Sequence, residues 1–153
     1  ALLKRLGLPF KVWAPDVDES PQRGELPRQT AVRLARVKAE AAGRKFSSAW
    51  IIGSDQVADL DGKPINKPGS LEKAREQLRE LSGHTVLFHT GLCVWNARLE
   101  RRHERLVTTD VAFRRLTDAE IATMTGTTLP MTKVRIYRAK ERLRALLKPY
   151  LAE

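Results

Sequence analysis

Three observations predict an α/β fold for this sequence. Amphipathic stretches with a helical period alternate with apolar, β-branched runs, and glycine-containing breaks such as Asp61-Gly62 and Ser82-Gly83 separate them. The run from Thr85 to Trp95 is almost entirely apolar, as a central strand should be.

The elements follow in order. Ala1-Leu2-Leu3, stopped by Gly7, reads as the end of a helix, so the sequence opens inside an element. A short strand is expected at Phe10 to Trp13. Pro15 to Gly24 is a turn-rich loop carrying Asp16, Asp18 and Glu19. After Pro27 the spacing of Ala31, Leu34, Ala35, Lys38 and Ala42 predicts a helix over Gln29 to Ala42, ended by Gly43. Ile51-Ile52 reads as a buried strand ending in Gly53-Ser54-Asp55, and Asp61-Gly62 marks a tight hairpin. Ser70 caps a helix over Leu71 to Leu81, with Ala74, Leu78 and Leu81 inward, and Ser82-Gly83 breaks it. Thr85 to Trp95 and the more polar Glu104 to Phe113 form a central and an edge strand, joined through Asn96-Ala97-Arg98. Thr117 caps a further helix, and Glu120 at the third position completes a capping box.

Composition narrows the classes. At 153 residues with 42% hydrophobic and 30% charged residues, the sequence fits one soluble domain, or one domain with a small appendage. It has no apolar run of about 18 residues, so no membrane helix is expected. The opening, interrupted by Lys4 and Arg5, does not resemble a signal peptide. Cys93 is the only cysteine. An internal disulfide is excluded, a reducing cytoplasm is the expected compartment, and Cys93 is expected to pack in its strand. The net charge of +10 points to a polyanionic partner, nucleotide phosphates or nucleic acid. From Leu129 to Lys148, seven basic residues stand against Glu141 alone, a local charge of +6.

The stretch from Ile51 to Pro68 carries the most chemistry. It places Asp55 at a strand end and Lys67, stiffened by Pro68, beyond the hairpin, in a loop expected to return toward Asp55. A carboxylate that can hold a metal or a water, facing a cation that can hold phosphate, can attack a phosphoric anhydride. Either residue alone reads equally as a turn former or a loop position. Trp13 and Trp50 could stack on a base, although buried core positions are the commoner fate of aromatics. His84, His89 and His103 are too scattered for a metal site and read as strand or turn residues.

In sequence order, Asp18-Glu19, Leu34-Ala35 with Lys38-Ala39, Ile51-Ile52-Gly53-Ser54-Asp55-Gln56-Val57, Lys67-Pro68, Leu81-Ser82-Gly83 and Thr90-Gly91 resemble the Maf family of nucleotide pyrophosphatases. Ser54-Asp55-Gln56, with Phe88-His89-Thr90-Gly91, is closer to the subgroup acting on 7-methyl-GTP than to that acting on dTTP and UTP. The resemblance implies a Maf/ITPase-like mixed, twisted sheet flanked by helices over about residues 1–116. It implies hydrolysis of a nucleoside triphosphate to the monophosphate and pyrophosphate, assisted by a divalent cation, Mg2+ or Mn2+. Asp55 matches the family's general base and, with Glu19, its metal-binding acids. Lys38 and Lys67 match phosphate-binding lysines, and Gln56 sits where subgroup specificity is read. No membrane partner is implied, and pairing of two chains is left open.

The family also opens with a strand and a Ser-x-Ser-Pro-Arg-Arg loop just before Leu-Leu, whereas this sequence starts at Ala1-Leu2-Leu3. Past about Thr123 the expected family motifs give way to Thr125-Gly126-Thr127-Thr128 and Thr132 to Leu143, which resemble the helix-turn-helix of sigma factor region 4. Residues 117–153 are therefore expected as a basic, helical tail, with Ile136, Ala139, Leu143, Leu146 and Tyr150 on one stripe. That resemblance implies an alternative, DNA-binding or transcription-related role, in which Lys133, Arg138, Arg142 and Arg144 meet phosphates and duplex binding is weak and salt-sensitive.

Overall fold

The computed structural model describes residues 7 and 9–126. The element order is α1 (Pro27–Lys45), β1 (Ile51–Leu60), β2 (Lys63–Ile65), α2 (Leu71–Leu81), β3 (Thr85–Asn96), β4 (Arg101–Ala112) and α3 (Asp118–Gly126). The α/β class holds. The chain divides into two units, Ala1–Asn66 with Thr85–Ala112, and Lys67–His84 with Phe113–Glu153.

In the first unit, α1 lies on a four-stranded sheet of order β2-β1-β3-β4. All pairings among the described strands are antiparallel. β3 is central, as its apolar run predicts, and β4 is an edge. Asp61 and Gly62 take φ of 52° and 84°, the double left-handed turn a two-residue hairpin needs.

The face α1 buries is made of small residues. Ala31, Ala35 and Ala39 are fully buried, and the sheet answers with Gly53 and Gly91. A Cβ added at Gly53 would overlap the Ala35 carbonyl and Ala39, and one at Gly91 would overlap the Ala31 carbonyl. Helix backbone therefore packs directly on strand backbone. The Ala35, Ala39, Ala42, Ile51 and Cys93 cluster, with Trp95 against it, forms the core of this contact.

In the second unit, α2 has the predicted bounds. Ser70 Oγ accepts from the Lys73 N–H at 3.2 Å. Leu81 is buried, and Ala74 and Leu78 are half-buried. The predicted capping box at α3 forms as well. Glu120 Oε2 accepts from the Thr117 N–H at 2.8 Å, and Thr117 Oγ1 accepts from the Glu120 N–H at 3.3 Å. Ser82 Oγ, just past α2, accepts from the Leu116 N–H at 2.7 Å.

Four expectations are corrected. Phe10 to Trp13 is not a strand, and Val12 is 87% exposed: its alternating pattern has no partner strand among the described residues. Gly43 does not end α1, which runs on to Lys45, because the glycine is needed where Trp95 presses on the helix. β1 continues to Leu60, so Asp55 lies mid-strand, held by pairing with β3. Trp13 and Trp50 are not core residues: Trp50 is 52% exposed, and Trp13 packs edge-on against Phe46 at 5.9 Å between ring centroids. The expected helix before Gly7 and the tail from Thr127 lie outside the described residues.

Candidate functional site

Strand alternation decides what Asp55 can meet. Ile51, Gly53, Asp55, Val57 and Asp59 share the face of β1 that α1 covers, and Ser54 and Gln56 point the other way. Because α1 sits so close, Lys38 on its flank reaches Asp55, with Nζ 2.6 Å from Asp55 Oδ1. The same ammonium is 2.6 Å from Glu19 Oε1. Lys38 and Asp55 are largely buried side chains, whereas Glu19 is 60% exposed. Burial works against the Lys38 charge, but hydrogen bonds to Asp55 and Glu19 outweigh it and raise its pKa above the ordinary lysine value. The group is thus one lysine cation clamped between two carboxylates.

The loop that supplies Glu19 is itself fastened. Arg33 makes a two-pronged contact with Glu25, Nε to Oε1 at 2.6 Å and Nη2 to Oε2 at 2.8 Å, and Nη2 also donates to the Ser20 carbonyl at 2.9 Å. Hydrogen bonding from Arg33 pulls the Glu25 pKa down to about 2. Asp18 Oδ1 accepts from the Ser20 N–H at 2.9 Å, which closes a local turn next to Glu19. Sequence reasoning misses the Arg33–Glu25 pair, since opposite charges eight residues apart carry no periodic signal.

Gln56 lies on the opposite sheet face, where Nε2 donates to Thr90 Oγ1 at 2.8 Å across β1 and β3. Ser54 Oγ on that face donates to the Gly91 carbonyl at 3.0 Å. Lys67 is an exposed residue between β2 and α2 and belongs to the second unit.

A second polar group on the α1-covered face was not legible in the sequence. His89 Nε2 is 3.0 Å from Asp59 Oδ2, His89 Nδ1 is 2.9 Å from Thr108 Oγ1, and Asp59 Oδ1 accepts from the Gly62 N–H at 2.7 Å. Both Asp59 and His89 are buried. The row ties β4, β3, β1 and the hairpin turn together. A neutral ring satisfies it by donating from Nε2 and accepting from the threonine hydroxyl at Nδ1. His89 is thus a strand residue, as expected, though one with a specific carboxylate partner.

The site chemistry suits a polyphosphate. The Lys38 ammonium can exchange a carboxylate for a phosphate oxygen, which frees Asp55 to accept a proton. The two carboxylates are hard oxygen donors already gathered on one cation, a donor set that fits Mg2+ or Mn2+. Among the described residues, no group of three or more His, Cys, Asp or Glu could hold a metal, so water or phosphate oxygens would have to complete such a shell.

Comparison with known proteins gives the family. The family model described as Maf-like protein matches residues 1–148, running past Thr123 into the basic tail. A 7-methyl-GTP pyrophosphatase of Polaromonas sp. is 52% identical over 120 residues, 78% of this chain and 55% of that protein. Proteins of the same name from Cupriavidus pinatubonensis and Bordetella avium are each 50% identical, over 120 and 121 residues, covering 78% and 79% of this chain and 60% of each relative. The chain thus spans a little over half the length of these relatives.

Proposed function

Because the chain belongs to the Maf family, we propose that it is a nucleoside triphosphate pyrophosphatase, with 7-methyl-GTP or a similarly modified nucleotide as substrate. The observation that carries this reading is the Lys38 ammonium held 2.6 Å from both Asp55 and Glu19. The names of the relatives supply the substrate class.

In the resting site Lys38 pairs with both acids, leaving the trio one negative charge in excess. An incoming triphosphate offers oxygens that compete for the ammonium, and Asp55 becomes free to orient a water and take its proton. The water oxygen forms a bond to the α-phosphorus, and the α–β bridging bond breaks. The bridging oxygen leaves with the electron pair on pyrophosphate, and the water's proton stays on Asp55. Lys38 offsets charge gathering on the phosphates, and Lys67 joins this reading as a second phosphate ligand. Asp55 and Glu19 would hold the divalent cation, which supplies charge neutralisation and orientation of the phosphates. Gln56 is read as a base-specificity residue acting from the opposite face of β1.

Residues 1–116 are the catalytic part in this reading and 117–153 a separate tail. Among the described residues no helix is long and apolar enough to cross a membrane. A cytoplasmic enzyme is the proposal that the single cysteine, Cys93, supports. The DNA-binding alternative rests on Thr132 to Leu143, outside the described residues, and the names of the three relatives given above do not favour it.

The test is product identity. Phosphorus NMR of 7-methyl-GTP incubated with the chain and Mg2+ should show monophosphate and pyrophosphate in equal amounts. A diphosphate with orthophosphate would assign the bond cleavage elsewhere and reject the reading.

A further inference from the structure

On the β4 side of α1 a groove of about 610 Å³ is walled by the loop around Gly24, the outer flank of α1, and Leu106 from β4. It is open to solvent along its length, as suits a charged ligand rather than an enclosed apolar one. Its charge is lopsided. Glu25 is taken up by Arg33, whereas Arg23, Arg28 and Arg36, which also line the groove, join no ion pair with another described residue. Arg28 and Arg36 lie two helical turns apart on one flank of α1, with Val32 between them. Leu106, 40% exposed, faces them from the sheet and gives the groove an apolar patch.

The rim is fixed before any ligand arrives. Arg33 is held by Glu25 and by the Ser20 carbonyl, and the Gln22 N–H donates to Glu25 Oε2 at 3.0 Å. Gly24 turns the chain at φ 75°. Three guanidinium groups with no ion-pair partner among the described residues, around an open groove, match an anion with several oxygens, because each planar fork can bind two oxygens of a phosphate.

We propose that this groove is a second anion site, separate from the Lys38–Asp55–Glu19 group, that takes a di- or triphosphate chain. The phosphates lie against Arg23, Arg28 and Arg36. Val32 and Leu106 form an apolar wall for a sugar or base, so a free polyphosphate uses the arginines alone and a nucleotide uses both.

The experiment is calorimetric titration of the full chain carrying Lys38→Met and Lys67→Met, which disables both phosphate ligands of the proposed catalytic site, with pyrophosphate and separately with GDP, at low salt without metal. Adding Arg28→Gln and Arg36→Gln should weaken pyrophosphate binding by about tenfold or more, in line with the loss of charge-assisted contacts. Adding Arg101→Gln and Arg105→Gln instead, the same charge change on the opposite face of β4, should leave binding within about twofold. All these arginines except Arg36 are exposed, and circular dichroism checks that each variant is folded. Tighter binding of GDP than of pyrophosphate, reduced by Leu106→Ser, identifies a nucleotide as the ligand; equal binding identifies free polyphosphate. Absence of pyrophosphate binding in the Lys38→Met, Lys67→Met chain, or equal losses from the two arginine pairs, would overturn the proposal.

Discussion

Asp55 and Gly91 are cross-strand partners, and the missing side chain at Gly91 lets the Ala31 carbonyl of α1 rest on the strand opposite Asp55. The acid and the helix that brings Lys38 to it thus depend on one backbone-to-backbone contact. Substituting Gly91→Ala forces Cβ into main-chain atoms that no rotamer change can clear. The expected result is a loss of about 1–3 kcal/mol in urea unfolding, with pyrophosphate release falling further than the unfolded fraction explains. Gly53→Ala should behave alike, because it meets Ala35 and Ala39.

Lys38 gives a pH prediction whose sign follows from its raised pKa. Its ion pairs contribute stability that is fully present below the ordinary lysine value of 10.5 and is lost as pH rises through the higher folded value. The stability difference between the unaltered chain and Lys38→Met should therefore stay flat from pH 7 to about 10 and shrink only beyond it, in denaturant titrations. A difference already shrinking near pH 8 would mean that the two carboxylates do not hold the charge.

Glu25 makes the opposite prediction. Arg33 depresses its pKa from 4.5 to about 2, so its contribution is full above pH 4.5 and disappears as pH falls toward 2. Allowing for solvent screening, about 1–2 kcal/mol is at stake. Thermal melts between pH 5 and pH 2.5 should show Glu25→Gln less acid-sensitive than the unaltered chain. Parallel melting curves for the two proteins would discard the assignment.

The buried Asp59–His89 contact should show up as coupling. Removing His89 leaves a carboxylate largely shielded from water with one partner fewer, at a cost of about 1–3 kcal/mol. A double-mutant cycle with Asp59→Asn and His89→Ala should give an interaction of at least about 0.5 kcal/mol. Additive losses would reduce the row to two independent strand residues.

Local signals made part of the fold legible. Ser70, Ser82-Gly83, Asp61-Gly62 and the Thr117/Glu120 box act within a few residues, and the elements they delimit appear where those signals place them. β1 continues past Asp55 because Gln56, Val57, Ala58 and Asp59 pair with β3 residues about 30 positions away, which no local pattern encodes. Phe10 to Trp13 alternates like a strand but has no partner among the described residues. Lys38, Glu19 and Asp55 could be grouped before the structure only through their likeness to a family. Their meeting depends on α1 lying against Gly53 and Gly91. The Asp59–His89 and Arg33–Glu25 pairs join residues with no shared motif, so only the packed chain reveals them.

The most direct test of the central claim is single-turnover release of pyrophosphate from 7-methyl-GTP with Mg2+, compared between the unaltered chain and Asp55→Asn. The amide keeps the size of the side chain and cannot serve as the base. The account predicts a rate lower by about 10²–10⁴-fold with the fold retained by circular dichroism. Equal rates for the two proteins would contradict it.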